Sequence, residues 1–225
     1  KFIYINYPNN PTGAVATKAF YEKLVAWAKT YEVGVVSDLA YGALGYRGYE
    51  NPSFLSTPGA KDVGIEFYTF SKTFNMAGWR LAFAAGNDQM IEALNLIQDH
   101  LFVGIFPALQ EAGIAALLDP KSEEAVAQLN ATYDSRRDAF VQAAAKIGWQ
   151  AFPSRGSFYA WMPVPEGYTS ESFADLLLEK VHVAVAPGKG FGPAGDAYVR
   201  IGLLVEPERL VEAVDRIANL HLFNN

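Results

Sequence analysis

The 225-residue sequence contains no cysteine, which excludes disulfide bonds, thiolate metal ligands and a cysteine nucleophile. Histidine is scarce, and His100, His182 and His221 are too far apart in the sequence for the close ligand pairs of metal-binding motifs. We therefore expect no metal site. The longest stretch without Asp, Glu, Lys or Arg, residues 2–17, holds three asparagines and two prolines, so we expect no membrane span.

Positive charge is in deficit, because 18 Lys and Arg stand against 24 Asp and Glu, which gives a net charge of -6 at pH 7. This balance argues against nucleic acid or an anionic membrane surface as a partner. The lack of cysteine is compatible with a reducing compartment, and we expect a cytoplasmic protein. With 51% hydrophobic and 19% charged residues, the chain can bury a core of one to two domains.

Short apolar segments in the first part of the chain predict strands, separated by helical or loop connections. This alternation is typical of an α/β fold with a mostly parallel sheet. The predicted strands lie near residues 2–6, 33–37, 65–70 and 81–86.

From about residue 88 the pattern is helical, and a long segment over residues 122–147 ends at Gly148, a residue typical of a helix C-terminus. After this segment, the alternation of short predicted strands and helices from residue 148 to the last residue predicts a small α+β domain. We therefore expect three parts: residues 1–121, a linking helix over 122–147, and a domain over 148–225. The predicted helices lie near residues 88–103, 107–118, 170–180 and 206–219, and the strands near 149–152, 158–161, 183–186 and 198–203.

Polar side chains lie at or beside an end of each predicted strand of the first part, and ligands of open α/β sheets bind beyond strand ends. They comprise an amide, a carboxylate, a phenol, a hydroxyl, an amine and a guanidinium. Singly, each has an ordinary structural interpretation: a carboxylate after a strand often caps a turn, Asn-Pro-Thr-Gly often forms one, and an arginine can be an ion-pair partner. The residues are Asn10, Asp38, Tyr41, Thr69, Lys72 and Arg80.

Three segments together resemble the signature segments of class I/II aminotransferases, which are fold-type I enzymes that use pyridoxal 5'-phosphate. They are Tyr-Pro-Asn-Asn-Pro-Thr-Gly over 7–13, Asp-Leu-Ala-Tyr over 38–41 and Ser-Lys-Thr-Phe-Asn-Met-Ala-Gly-Trp-Arg over 71–80. The spacings agree as well, with 28 residues from Asn10 to Asp38, 34 from Asp38 to Lys72 and 8 from Lys72 to Arg80. The resemblance runs from Ile3 to about Leu220. It implies that residues 1–121 are part of the large cofactor-binding domain and 148–225 the small C-terminal domain.

The resemblance also implies a role for each residue. Lys72 would form a Schiff base with the cofactor aldehyde and then serve as the base that moves a proton. Asp38 would keep the pyridine nitrogen protonated, so that the ring accepts electrons. Asn10 and Tyr41 would hydrogen-bond the phenolic oxygen, and the phosphate would be held by Thr69 and Arg80, with help from Ser71.

In the second domain, the resemblance makes Arg200 the residue that binds the α-carboxylate of the substrate, although an arginine within a strand is often an edge residue or an ion-pair partner. The substrates would be an L-amino acid and a 2-oxo acid. Methionine-like, aromatic and aspartate substrates stay open. Several rings in segments bordering the pocket favour an apolar or aromatic side chain: Phe74, Phe102, Phe106, Phe158, Tyr159 and Trp161.

Complete members of this family are considerably longer, and we expect the chain to be a fragment that lacks a portion before Lys1. That portion would include the glycine-rich turn that binds the phosphate and the ring that stacks on the pyridine. The family implies a homodimer for the full-length protein. Two other functions stay open: a different fold-type I enzyme, such as a C-S lyase or a synthase, and a regulatory domain without turnover.

Overall fold

The computed structural model describes residues 1–152 and 154–223. The chain forms two compact units. The N-terminal unit comprises Lys1–Pro8 and Val15–Leu129, and the C-terminal unit comprises Asn9–Ala14 and the chain from Asn130 onward. No helix among the described residues is both long and apolar enough to cross a membrane.

The N-terminal unit is built on a four-stranded sheet of order β1-β2-β3-β4. Strands β1 and β2 pair in parallel, as do β2 and β3, whereas β4 runs antiparallel to β3. The predicted α/β class with a mostly parallel sheet is therefore confirmed. The strands are β1 (Phe2–Asn6), β2 (Gly34–Asp38), β3 (Gly64–Thr69) and β4 (Ala82–Gly86).

Helix α1 (Lys18–Tyr31) provides the largest part of this unit's buried core. It begins at Thr17, whose side chain accepts a hydrogen bond from the backbone N–H of Phe20 at 3.2 Å. Its buried residues recur at helical spacing, so one face packs on the sheet. That face consists of Tyr21, Leu24, Val25 and Ala28, which pack with Val35, Phe54 and Ala60.

The remaining helices of this unit are short or largely exposed. Two of them, α2 (Ala60–Val63) and α3 (Phe70–Thr73), have one turn each. Helices α4 (Asp88–Leu101) and α5 (Pro107–Leu118) match the predicted segments, and α5 begins with a proline, which suits a first helical position. Helix α4 buries no residue and α5 buries only Gly113, so most of their apolar side chains face outward.

A buried carboxylate connects β3 to its neighbours. Glu66 is 6% exposed and accepts hydrogen bonds from the hydroxyl of Ser37 at 3.0 Å, from the hydroxyl of Ser53 and from the backbone N–H of Phe54 at 2.8 Å. Three donors compensate for the loss of water around this carboxylate. Burial, and after it the charge of Glu66, raise the pKa of the nearby Tyr21.

In the C-terminal unit, three strands form an antiparallel sheet of order β5-β7-β6. They are β5 (Tyr159–Pro163), β6 (Ala186–Pro187) and β7 (Tyr198–Gly202). Alternate residues of β5 and β7 belong to the core, where Ala160, Met162, Val199 and Ile201 pack with residues of α6 (Ser122–Lys146), α7 (Ser170–Val181) and α8 (Pro207–Ala218). The other residues of these strands face away from that core.

Helix α6 ends as the sequence predicts. Gly148 adopts a φ of 81°, and the N–H of Trp149 donates to the carbonyl of Ala144 at 2.9 Å, which closes the helix end. The predicted strand over 149–152 is wrong, because Trp149 instead turns inward: its ring is 1% exposed and its Nε1 donates to the carbonyl of Pro163 at 2.7 Å. Of the predicted strand over 183–186 only Ala186 is in a strand, because β6 comprises Ala186–Pro187.

The boundary between the two units lies between Leu129 and Asn130, within α6. The predicted helix over 122–147 matches α6 closely. The division into a partial large domain, a linking helix and a small domain stays a prediction.

Replacing Glu66 by Gln is expected to lower the free energy of unfolding by about 1 to 3 kcal/mol. The amide keeps the shape of the side chain, but its NH2 group faces hydrogen-bond donors and leaves at least one of them unsatisfied. Urea denaturation measures the change. The control is Glu92→Gln on exposed α4, for which we expect a change within about 0.5 kcal/mol. Equal effects of the two substitutions would contradict this role of Glu66.

Candidate active site

The parallel pairing of β2 and β3 brings two polar segments to one edge of the sheet. Asp38, the last residue of β2, lies opposite Phe67, and β3 ends two residues later at Thr69. The segments that follow, Leu39–Tyr41 and Phe70–Lys72, therefore leave the sheet from adjacent strands at the same edge. Ligands of open α/β sheets bind at this edge.

The carboxylate of Asp38 is exposed, and one of its two oxygens caps the turn that follows β2. Its Oδ1 accepts a hydrogen bond from the N–H of Ala40 at 3.0 Å, and its backbone carbonyl accepts one from Nδ2 of Asn6 at 3.1 Å. The capping expected of a carboxylate after a strand is thus present. Within the described residues Oδ2 has no hydrogen-bond partner, so one carboxylate oxygen remains available to a ligand.

Tyr41 lies in the turn after β2 and is 5% exposed. Its carbonyl accepts a hydrogen bond from the N–H of Leu44 at 2.9 Å, which fixes the turn. The chain therefore carries a buried phenol three residues after Asp38, the last residue of β2.

The segment after β3 is a single helical turn capped by Thr69. The Oγ1 of Thr69 accepts a hydrogen bond from the N–H of Ser71 at 3.2 Å and lies 3.0 Å from the hydroxyl of Ser71. Buried Phe70 anchors the turn, and half-buried Lys72 follows within it. Two hydroxyls and an amine thus come from four consecutive residues.

The hydroxyl of Tyr68 supports the same turn from the strand. It donates to Oγ1 of Thr73 at 2.7 Å, and burial raises the pKa of Tyr68. The phenol therefore stays protonated at neutral pH and can keep donating this hydrogen bond.

Arg80 lies between the helical turn and β4, with a left-handed φ of 54°. It is exposed, and its Nη1 donates to the carbonyl of Ala77 at 2.9 Å. This hydrogen bond occupies one terminal nitrogen of the Arg80 guanidinium. The other end has no hydrogen bond among the residues that the structure describes, so it can bind an anion.

The structure brings Asn10 together with Arg200 in the C-terminal unit. The Nη1 of Arg200 donates to Oδ1 of Asn10 at 2.8 Å. The turn that carries Asn10 belongs to this unit because Gly13 accepts a hydrogen bond from the N–H of Arg155 at 3.2 Å, and the position of a Cβ on Gly13 would be only 2.4 Å from the Cβ of Ser154. Sequence order, which joins this turn to β1, does not indicate such packing.

Arg200 is not an edge residue, because it lies in the middle of the central strand β7 between Trp161 of β5 and Ala186 of β6. It makes no salt bridge with any described residue. Its guanidinium carbon is 4.3 Å from the ring centroid of Tyr159 and 4.7 Å from that of Phe191. The edge position is thereby excluded, and Arg200 has no ion-pair partner among the described residues.

The aromatic residues predicted to border a pocket have different surroundings. Phe74 packs on Phe70, with ring centroids 5.7 Å apart, and Phe158 is buried 5.2 Å from the ring of Tyr133. Trp161 stacks on Tyr198 at 5.3 Å. Phe102 and Phe106 are 66% and 70% exposed. Of the six, only Tyr159 has a ring contact with Arg200.

A family model described as aminotransferase class I and II matches residues 1–217. The chain belongs to the class I and II aminotransferase family. The L-glutamine--4-(methylsulfanyl)-2-oxobutanoate aminotransferase of Bacillus subtilis (strain 168) is 58% identical over 223 residues, which are 99% of this chain and 56% of that protein. The LL-diaminopimelate aminotransferase of Moorella thermoacetica (strain ATCC 39073 / JCM 9320) is 48% identical over 217 residues, 96% of this chain and 55% of that protein.

Solved structures of this aminotransferase family have the same fold. The apo structure of BacF from Bacillus subtilis is 46% identical with a TM-score of 0.95, and the match covers 100% of this chain and 57% of that one. The resemblance and the fold class inferred from the sequence are therefore confirmed. The chain spans little more than half the length of the relatives that it matches.

The family implies pyridoxal 5'-phosphate, and the residues at the sheet edge fit this group chemically. A pyridine nitrogen that must stay protonated needs an anionic acceptor, and Asp38 has a carboxylate oxygen without a partner among the described residues. A phosphate needs hydroxyl and cationic donors, which Thr69, Ser71 and Arg80 provide. An aldehyde needs an amine, which Lys72 provides.

Phe191 is the residue of the C-terminal unit that the sequence interpretation missed. It lies in the segment Pro-Gly-Lys-Gly-Phe-Gly over 187–192. A single aromatic residue between two glycines is the signal that could have identified it.

Replacing Gly13 by Ala is expected to destabilise the protein more than replacing Gly48 by Ala. The two glycines have φ values of 68° and 71°, so both substitutions strain the backbone, by about 1 kcal/mol. A Cβ on Gly48 meets nothing within 4 Å, whereas one on Gly13 collides with Ser154, which adds about 1 to 3 kcal/mol. Urea denaturation of both variants measures the difference. Equal losses would show that the turn does not pack on Ser154.

Proposed function

We propose that the complete protein catalyses pyridoxal-phosphate-dependent transamination between an L-amino acid and a 2-oxo acid. The main support for this proposal is the register of β2 and β3. It places Asp38 and the Thr69–Lys72 segment at the same edge of one sheet. Family membership supports it.

The cofactor, when bound, supplies an electron sink for the carbanion that forms at the substrate α-carbon. Asp38 holds a proton on the pyridine nitrogen. Thr69, Ser71 and Arg80 bind the phosphate, and Tyr41 donates a hydrogen bond to the phenolic oxygen. The same role for Asn10, implied by the resemblance, stays a prediction.

Lys72 attaches the cofactor and moves the proton in this proposal. The amine of the incoming substrate would take the place of Lys72 on the cofactor, and the freed lysine amine would then take the proton from the substrate α-carbon and return it at C4′. The capped turn supports this role, because Thr69 and buried Phe70 fix the backbone that carries the amine.

Arg200 binds the α-carboxylate of both substrates. Its planar guanidinium can donate two parallel hydrogen bonds to a carboxylate, and the bond to Asn10 leaves further N–H groups for that purpose.

For the substrate, we propose a methionine-like 2-oxo acid as one amino acceptor. The support is the 58% identity to a relative named for 4-(methylsulfanyl)-2-oxobutanoate. LL-diaminopimelate is the competing substrate, since relatives named for it are 43% to 48% identical. A homodimer and a cytoplasmic location stay predictions.

Borohydride reduction of the complete protein with pyridoxal phosphate tests the role of Lys72. Peptide mass mapping should find the reduced cofactor on Lys72 and lose it in Lys72→Ala, whose turnover should fall roughly 10²- to 10⁴-fold. Lys61→Arg, on an exposed lysine of α2, is the control and should keep both label and activity. A label on another lysine would overturn the assignment.

Assays with and without an amino acceptor distinguish transamination from its alternatives. Transamination predicts 2-oxo acid only when the acceptor is present. Formation of oxo acid without acceptor would indicate a lyase, and labelled but inactive protein would indicate a regulatory domain.

Replacing Arg200 by Gln is expected to raise the KM for every amino acid roughly 10- to 100-fold, because a charged hydrogen-bonded pair with the carboxylate is lost. The affinity for pyridoxal phosphate should stay nearly unchanged, as a spectroscopic titration would measure. The control is Arg209→Gln on exposed α8. Loss of the cofactor in the Arg200 variant would mean that this arginine has another role.

A further inference from the structure

The guanidinium of Arg200 lies against two aromatic rings that come from different parts of the C-terminal unit. Its central carbon is 4.3 Å from the ring centroid of Tyr159 in β5 and 4.7 Å from that of Phe191 in the segment before β7. Both distances are within the range of a cation–π contact. One terminal nitrogen of the guanidinium, Nη1, also donates a hydrogen bond to Oδ1 of Asn10.

The position of Tyr159 follows from the register of β5 and β7. Arg200 pairs with Trp161, so Tyr159 is its diagonal neighbour on the same face of the sheet. The residue directly opposite Tyr159 is Gly202, which has no side chain to compete for this space. The tyrosine ring can therefore lean towards the guanidinium.

The position of Phe191 follows from a tightly held segment, the helical turn Gly188–Phe191. A Cβ on Gly188 would lie 2.2 Å from the carbonyl oxygen of Gly195, so the two backbones touch. The N–H of Lys189 donates to the hydroxyl of Ser170 at 3.2 Å, and its Nζ is 2.7 Å from Glu171. Phe191 is nevertheless 42% exposed, and its ring also packs edge-to-face on buried Trp161, with ring centroids 6.0 Å apart.

We propose that Tyr159 and Phe191 are positioning residues that clamp the guanidinium of Arg200 for the substrate α-carboxylate. This inference rests on the proposed function. The guanidinium carbon lies over both rings, and Nη1 is bonded to Asn10. The N–H groups that remain lie in the guanidinium plane, where a carboxylate can accept two hydrogen bonds.

The clamp acts through preorganisation. A free arginine side chain loses rotamer freedom when it binds a carboxylate, and that loss weakens binding. Rings that already hold the guanidinium remove part of this loss. The effect concerns any ligand with an α-carboxylate and should be absent for ligands that lack one.

Two ligands separate these cases in the complete protein loaded with the amine form of the cofactor, pyridoxamine phosphate, which has no aldehyde and so condenses with neither of them. The first, 4-methylpentanoate, has a carboxylate and no amine; the second, 3-methylbutylamine, has an amine and no carboxylate. Calorimetry should find that Phe191→Leu and Tyr159→Leu each weaken binding of the acid roughly threefold to tenfold. Binding of the amine should stay unchanged. In turnover, KM for the amino acid should rise while kcat stays close to its original value.

The conservative variants Phe191→Tyr and Tyr159→Phe keep a ring and should restore the affinity for the acid. The matched control is Phe152→Leu, since Phe152 is also 42% exposed and no guanidinium of the described residues lies over its ring. It should leave both affinities unchanged. Equal weakening of acid and amine, or no rescue by the conservative variants, would overturn the clamp.

Arg200→Gln distinguishes failure of the clamp from failure of the proposed function. If this variant loses affinity for the acid but the two leucine variants do not, Arg200 binds the carboxylate without help from the rings and the clamp is wrong. If Arg200→Gln also keeps its affinity for the acid, the role of Arg200 in the proposed function is wrong, and the clamp fails with it.

Discussion

The parallel pairing of β2 with β3 is the constraint on which the candidate cofactor site depends. Because Asp38 lies opposite Phe67, the carboxylate at the end of one strand and the Thr69–Lys72 turn at the end of the next leave the sheet together. A register shifted by one residue would turn the side chains of one strand to the other face and separate these groups. Glu66 supports the register from within β3, since its carboxylate binds the Ser37 hydroxyl of β2.

The C-terminal unit uses the two faces of its sheet differently. Alternate residues of β5 and β7 form the core with the helices, while Arg200 and the rings of Tyr159, Trp161 and Tyr198 occupy the opposite face. The period of two thus places the core residues and Arg200 on opposite faces of the same strands. Packing of the core residues fixes the strands, and the strands in turn fix the backbone position of Arg200.

Several elements could be predicted from the sequence because local signals agree with the fold. Helix α6 begins at Ser122 and its end is closed by Gly148, and β1 comprises the predicted residues. The prediction failed at residues 149–152, where Trp149 is apolar enough for a strand but fills the core instead. It also missed Phe191, because a ring between glycines has no periodic pattern that would assign it to a face.

The sequence by itself determined the family and the types of reactive group, because motifs such as Ser-Lys-Thr-Phe-Asn-Met-Ala-Gly-Trp-Arg carry their identity in the order of their residues. Only the tertiary structure decided which groups meet. It paired Arg200 with Asn10, which is 190 positions away in the sequence, and brought Tyr159 and Phe191 against the same guanidinium. Such contacts depend on strand register and on the close approach of separate backbones, and both arise only when distant segments pack together.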